Sequence, residues 1–243
     1  MENNKSLLKC DRVYVTDKIY VRIPTVGEIL DNEKKYLNLV HTLTAVPYQY
    51  MVQLDDAGLD FTKVKEYELF LMLFSSYLKE DVSILFGDLD ISDYRLCGNS
   101  DDSMHVLKSE KHGDDYQIDE FVYFKLVEAI RKINNIEKIK YKPANEETKR
   151  YLIEKERKYL KRHAKDKYKP YLENLVIALV NNKDFKYNYD EVMDLSYFRF
   201  NQSFNQIQTN ITFDKTMNGI YSGTVDTSKL KDKSCLSWIQ QGN

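Results

Sequence analysis

Apolar and polar positions along the 243-residue chain follow two periods, and the switches between them mark out its elements. Residues 12–23, RVYVTDKIYVRI, carry two short alternating runs around Thr16-Asp17-Lys18. They predict a β-hairpin ended by Pro24, which has no N–H for ladder pairing. Leu37, Val40 and Leu43 then recur at helical spacing from about Asn32. A short helix is expected from Pro47 through Met51, Val52 and Leu54 to Gly58. From Thr62 onward, Val64, Tyr67, Phe70, Leu71, Phe74, Tyr77 and Leu78 share one face, the strongest helical pattern of the first half. EDVSILFG, ending at Gly87, adds a further turn or two. Beginning at Tyr94, YRLCGNSDDSMHVLKSEKHGDDYQI reads as three strand-like pieces. Its separators GNSDD and EKHGDD are turn-rich, so a small antiparallel β-meander is expected. Asp119 is placed to cap a helix through Val122, Leu126, Val127, Ile130 and Ile133.

The pattern turns polar over IEKIKYKPANEE, residues 136–147. Residues 136–145 read as a linker between a mixed α+β domain, 1–135, and a helical domain, 146–243. In the second part Asn145 is a helix cap ahead of Glu146 and Glu147. Leu172, Leu175, Val176 and Leu179 define another helix. A third starts near Tyr189 and takes in Val192, Leu195, Phe200, Phe204 and Ile207, with a break at Ser196. From Thr212 the tail reads as short strand or coil. Eight glycines and four prolines are too few for a turn-rich all-β chain. The expected class is therefore α+β, mainly α-helical, with an N-terminal β-hairpin and a small antiparallel β-meander.

Composition narrows the function classes. With 42% hydrophobic and 30% charged residues the chain is not mostly disordered, and a net charge of −2 provides no global attraction to nucleic acid or anionic lipid. Nineteen tyrosines suit half-buried surfaces and protein interfaces, or reflect an AT-rich coding sequence. Cys10, Cys97 and Cys235 form no CxxC pair, as in a reducing compartment. The amino-terminal residues lack the apolar run of a signal peptide, and the most apolar windows are shorter than a membrane span. A cytoplasmic protein with no membrane partner is expected.

Little of the chain carries catalytic chemistry. Asp88, Asp90 and Asp93 follow an apolar run and Gly87, as acidic ligands would. Counted from Asp88 as a calcium loop, however, the sixth residue is Asp93 rather than glycine and the twelfth is Asn99 rather than glutamate. A turn between helix and meander is the better reading. His41, His105, His112 and His163 have no zinc spacing, and His41 reads as a partly buried structural histidine. No GxSxG, Walker A or GxGxxG string occurs. No catalytic, metal or cofactor-binding residue is predicted, and an enzyme is the least supported class. The remaining candidate is basic. From Lys138 to Lys169, thirteen Lys or Arg face five Asp or Glu, a local charge near +8. Arg150, Arg157, Lys158, Lys161 and Arg162 form its candidate partner-binding face. The competing readings are an arm neutralised by the chain's own acidic blocks DDSM and GDDYQIDE, and a salt-sensitive nucleic-acid contact through residues 149–169.

The order of several strings adds a resemblance. These are VRIPTVGEI from Val21, LTAVPYQYMVQLDDAGLDF from Leu43, YELFLMLF from Tyr67 and SILFGDLD from Ser83. FKYNYDEVMDLSYFRF from Phe185 and GIYSGTVDTSKL from Gly219 complete the set. Together they resemble proteins of the tail-morphogenesis modules of phages and prophages of Gram-positive bacteria, some of which are similar to tail assembly chaperones. The resemblance implies a non-enzymatic factor in the host bacterial cytoplasm that binds tape-measure or tube proteins. It transfers no catalytic residues. A structural tail component, a nucleic-acid binder and a homo-oligomer stay open as alternatives.

Overall fold

The computed structural model describes residues 6–77, 82–98, 105–230 and 232–239. Strands β1 (Arg12–Tyr14) and β2 (Tyr20–Arg22) form the expected antiparallel hairpin, with Val13 opposite Val21. Thr16 shapes its turn by accepting from the Ile19 N–H at 2.9 Å. After Pro24 comes a helix the periodicity did not mark, α1 (Val26–Asp31). Thr25 accepts from the Glu28 N–H while the Glu28 carboxylate accepts from the Thr25 N–H, a reciprocal cap. Helix α2 (Glu33–Leu43) follows from Asn32, and Pro47 opens a 3₁₀ turn into α3 (Met51–Asp56).

Helix α4 spans Glu66–Tyr77, so it starts four residues after the expected Thr62. The reason is local: the Asp60 carboxylate accepts from both the Thr62 N–H and its hydroxyl, which holds a turn where the helix would begin. Leu78 and most of the separator GNSDD lie outside the described residues. Helix α5 (Ser83–Phe86) ends at Gly87, whose φ of 59° is open to glycine. Strands β3 (Tyr94–Gly98), β4 (His105–Ser109) and β5 (Gly113–Ile118) make the predicted meander, in the order β3-β4-β5. Asp119 caps α6 (Glu120–Asn134) by accepting from the Val122 N–H at 2.8 Å.

Beyond an irregular exposed stretch lie α7 (Glu146–His163), α8 (Leu172–Val180), α9 (Tyr189–Asp194) and α10 (Tyr197–Tyr221). The break at Ser196 is real: its hydroxyl caps α10, and Thr25 and Ser196 pair as an isolated antiparallel bridge. That bridge joins the starts of α1 and α10. The tail departs from expectation, because the chain is helical through Tyr221 rather than strand or coil from Thr212. Its residues are polar on most sides and show no apolar period, yet nothing breaks the helix before Gly223, at φ 72°. No described residue after Ile207 is buried.

The main core draws side chains from both sides of the 136–145 crossing. Ile19, Val21, Val26, Leu85, Leu107, Ile130 and Ile133 pack in one cluster with Val176, Val192 and Phe200. Tyrosines contribute to it directly. Phe70 stacks on Tyr123 at 4.6 Å between ring centres, and the buried Tyr36 hydroxyl donates to Asn134 at 2.7 Å. The Tyr67 hydroxyl lies 2.9 and 2.8 Å from the carbonyls of His105 and Ile118, tying α4 to the meander. A smaller cluster joins Ala45, Met51, Val52, Leu54, Phe61 and Leu69 to Ile153 of α7.

Candidate functional site: the cationic helix

Helix α7 begins where Asn145 accepts from the Thr148 N–H at 2.8 Å. Glu146 and Glu147 occupy its first turn and Lys161, Arg162 and His163 its last, so both ends complement the helix dipole. Only Ile153 is buried, with Leu152 half-buried beside it against the smaller cluster. Charge supplies the rest of the docking. Lys149 pairs with Asp60 at 3.0 Å and with Glu146 at 2.9 Å. Arg157 reaches Asp55 at 2.8 Å and Asp56 at 2.6 Å, two acids at the end of α3. The Thr62 hydroxyl, and then Lys149, hold the Asp60 carboxyl at about 2, below the ordinary aspartate range. Lys138, ahead of the helix, meets Glu66 at 2.5 Å.

The five predicted cations therefore divide. Arg157 faces α3 and is committed to Asp55 and Asp56. Arg150, Lys158, Lys161 and Arg162 are exposed, and among the described residues none of them forms an ion pair. Among the described residues, the acids from elsewhere in the chain that pair with α7 are Asp55, Asp56 and Asp60, and none of them belongs to GDDYQIDE. DDSM lies outside the described residues, and in GDDYQIDE Asp114 pairs with Lys108 at 2.8 Å. Aromatic rings are interleaved with the exposed cations: Tyr151 and Tyr159 are exposed, and Tyr159 packs on His163 at 4.0 Å.

The other candidates are structural. Asp90 caps a 3₁₀ turn through Ser92, and Ser92 followed by Lys111 draw its carboxyl down to about 2. Asp93 is buried and accepts from the Ser109 hydroxyl at 2.6 Å and the Lys111 N–H at 3.2 Å, fixing the β4–β5 turn. Among the described residues no group of three His, Cys, Asp or Glu could hold a metal ion. His41 is exposed rather than partly buried, and lies 3.2 Å from the Gln49 amide nitrogen. An open groove of about 920 Å³ runs between the α1–α2 junction, α8 and α9, and includes Asp31, Glu33, Glu173 and Met193. Sequence reasoning missed the role of Glu33 there. Its buried carboxylate accepts from the Tyr171 and Leu172 N–H groups at 2.9 and 3.0 Å, so it caps α8 from 138 residues away. No local signal marks such a contact.

Architecture and site together define an α+β, mainly helical protein that displays a cationic helix, and among the described residues no helix is long and apolar enough to cross a membrane. Residues 163–243, covering α8 to α10 and the tail, match the family model of the YomV second domain. YomV is a phage- and prophage-associated protein, and the likeness spans a third of this chain. No curated protein and no solved structure matches it.

Proposed function

We propose that this chain is a non-enzymatic protein-binding factor in phage tail assembly, which engages tape-measure or tube proteins in the host cytoplasm through the solvent face of α7. The observation that carries the reading is the division of α7. Its inner cations are matched by acids of the same chain, while Arg150, Lys158, Lys161 and Arg162 are left exposed beside tyrosines. Such a face steers an acidic partner and offers it ring surface. The phage-related match supports the setting, and the resemblance of the quoted strings supports the tail-assembly step. Co-expression with the tape-measure protein of the same phage should give a co-purifying complex. Changing Lys158, Lys161 and Arg162 to Glu should release it, and a tape-measure protein that fails to co-purify with the unaltered chain overturns the reading.

Nucleic-acid binding is the second reading, favoured by the same mixture of cations and rings. With +8 over residues 138–169 and −2 in total, the remainder of the chain carries −10, which opposes a long polyanion lying across the molecule. Retardation of DNA or RNA that weakens steeply with salt would replace the first reading with this one. Mass spectrometry of purified particles separates an assembly factor, absent from the mature phage, from a structural tail component.

A further inference from the structure

On an α-helix, positions i, i+4, i+7 and i+11 line up as a nearly straight ridge. Taken from Tyr151, that ridge of α7 is Tyr151, Lys155, Lys158 and Arg162, and all four are exposed. Ile153, the one buried residue of the helix, lies on the opposite side, so the ridge points directly away from the body. It is ~16 Å long at 1.5 Å per residue. Among the described residues none of its three cations forms an ion pair.

The inner side of α7 shows how this helix takes up acids. Arg157 donates to two carboxylates of another helix, α3, while Ile153 packs into the cluster that Met51, Val52 and Leu54 of α3 help to form. The outer ridge repeats the ingredients, cations and one large apolar ring, at alternating steps of four and three residues. Another helix with carboxylates at the same interval matches it in both rise and period, as charged flanking positions do in coiled coils. A helix about 10–12 Å across also rests on the ridge without covering the acidic remainder of the molecule, which a nucleic-acid duplex following its own curved groove does not avoid. We infer that the Tyr151–Lys155–Lys158–Arg162 ridge docks an acidic amphipathic helix of a partner protein. The inference rests on the protein-binding reading above and names the chemistry of the partner.

The test uses the full chain and two labelled synthetic peptides of identical composition. One places Glu at i, i+4, i+7 and i+11 with a Leu set to meet Tyr151; the other distributes the same residues around the helix. A DNA duplex is the third probe, and binding is followed by fluorescence anisotropy. The matched peptide is expected to bind about tenfold tighter than the scrambled one, a gain of a few exposed pairs in register. Lys155, Lys158 and Arg162 changed to Glu should remove that advantage with the melting temperature unchanged. Should the triple variant melt early, Tyr151→Ala and the peptide pair on the unaltered chain still decide. Equal binding of both peptides overturns the inference, as does tighter binding of the duplex at the same ionic strength. Tail-protein co-purification is read separately. A complex that survives the triple change sinks the ridge and leaves the function, whereas a matched peptide that binds when no tail protein does leaves the ridge and sinks the function.

Discussion

Helices α6 and α7 are of similar length, 15 and 18 residues, and join the rest of the molecule by different physics. Seven residues of α6 are buried, including Leu126, Ile130 and Ile133, whereas α7 buries Ile153 alone and adds the ion pairs of Lys149 and Arg157. Apolar burial is indifferent to salt and unforgiving of cavities; exposed charge pairs are screened and individually weak. The first helix is part of the core. The second is held against the body by one narrow seam, and the rest of its surface is left to solvent.

The largest effect that sharpens this contrast is a cavity. Ile130→Ala, at a position 1% exposed, is expected to cost about 3–4 kcal/mol in urea unfolding. Ile153→Ala should cost roughly half of that, since the seam around it is shallow, and its amide exchange should quicken in α7 first. Equal costs for the two would erase the distinction. Next comes the polar side of α6. Arg131 donates to the Thr44 carbonyl at 2.7 Å and lies 3.7 Å from Glu66, with both side chains mostly buried. Arg131→Ala leaves Glu66 with Lys138 alone and should cost about 2 kcal/mol, measured the same way.

The contrast also explains what could be read along the chain. Asp119 followed by Val122, Leu126, Ile130 and Ile133 announces α6, because cap and period lie within 15 consecutive residues. The hairpin and the meander are legible for the same reason. Helix α1 is short enough to hide its period, and only the Thr25–Glu28 capping pair marks it. The end of α10 has no apolar stripe to read. Within α7, charge alone identifies a cationic helix but does not say which cations are already paired. Arg157 and Lys158 are neighbours of the same charge, and what separates them is a contact with Asp55 and Asp56 some hundred residues earlier.

Acid probes the seam more gently. Asp60 titrates at about 2 in the folded chain, against roughly 3.9 when unfolded. A depressed carboxyl contributes stability above the unfolded value and loses it as pH falls through the folded one. The amide shifts of residues 149–157 should therefore move between pH 4 and pH 2 while those of α6 hold still. Asp60→Asn should flatten that response, and an identical titration of both helices would mean that α7 does not depend on its ion pairs.

The smallest stability effect is the most discriminating. Arg157→Ala removes bonds to two half-exposed acids and should cost at most about 1 kcal/mol, less in high salt. The triple change Lys158, Lys161 and Arg162 to Glu removes no ion pair among the described residues. Its only expected penalty is reversed charge near the carboxy-terminal end of the helix, a few tenths of a kcal/mol for each position against the dipole. One replacement thus loosens the helix without touching its outer face, and the other rewrites the outer face while leaving the helix in place. If partner binding follows the second and ignores the first, the cations have been kept for recognition. If it follows the first, what the partner reads is the seat of α7 on α3.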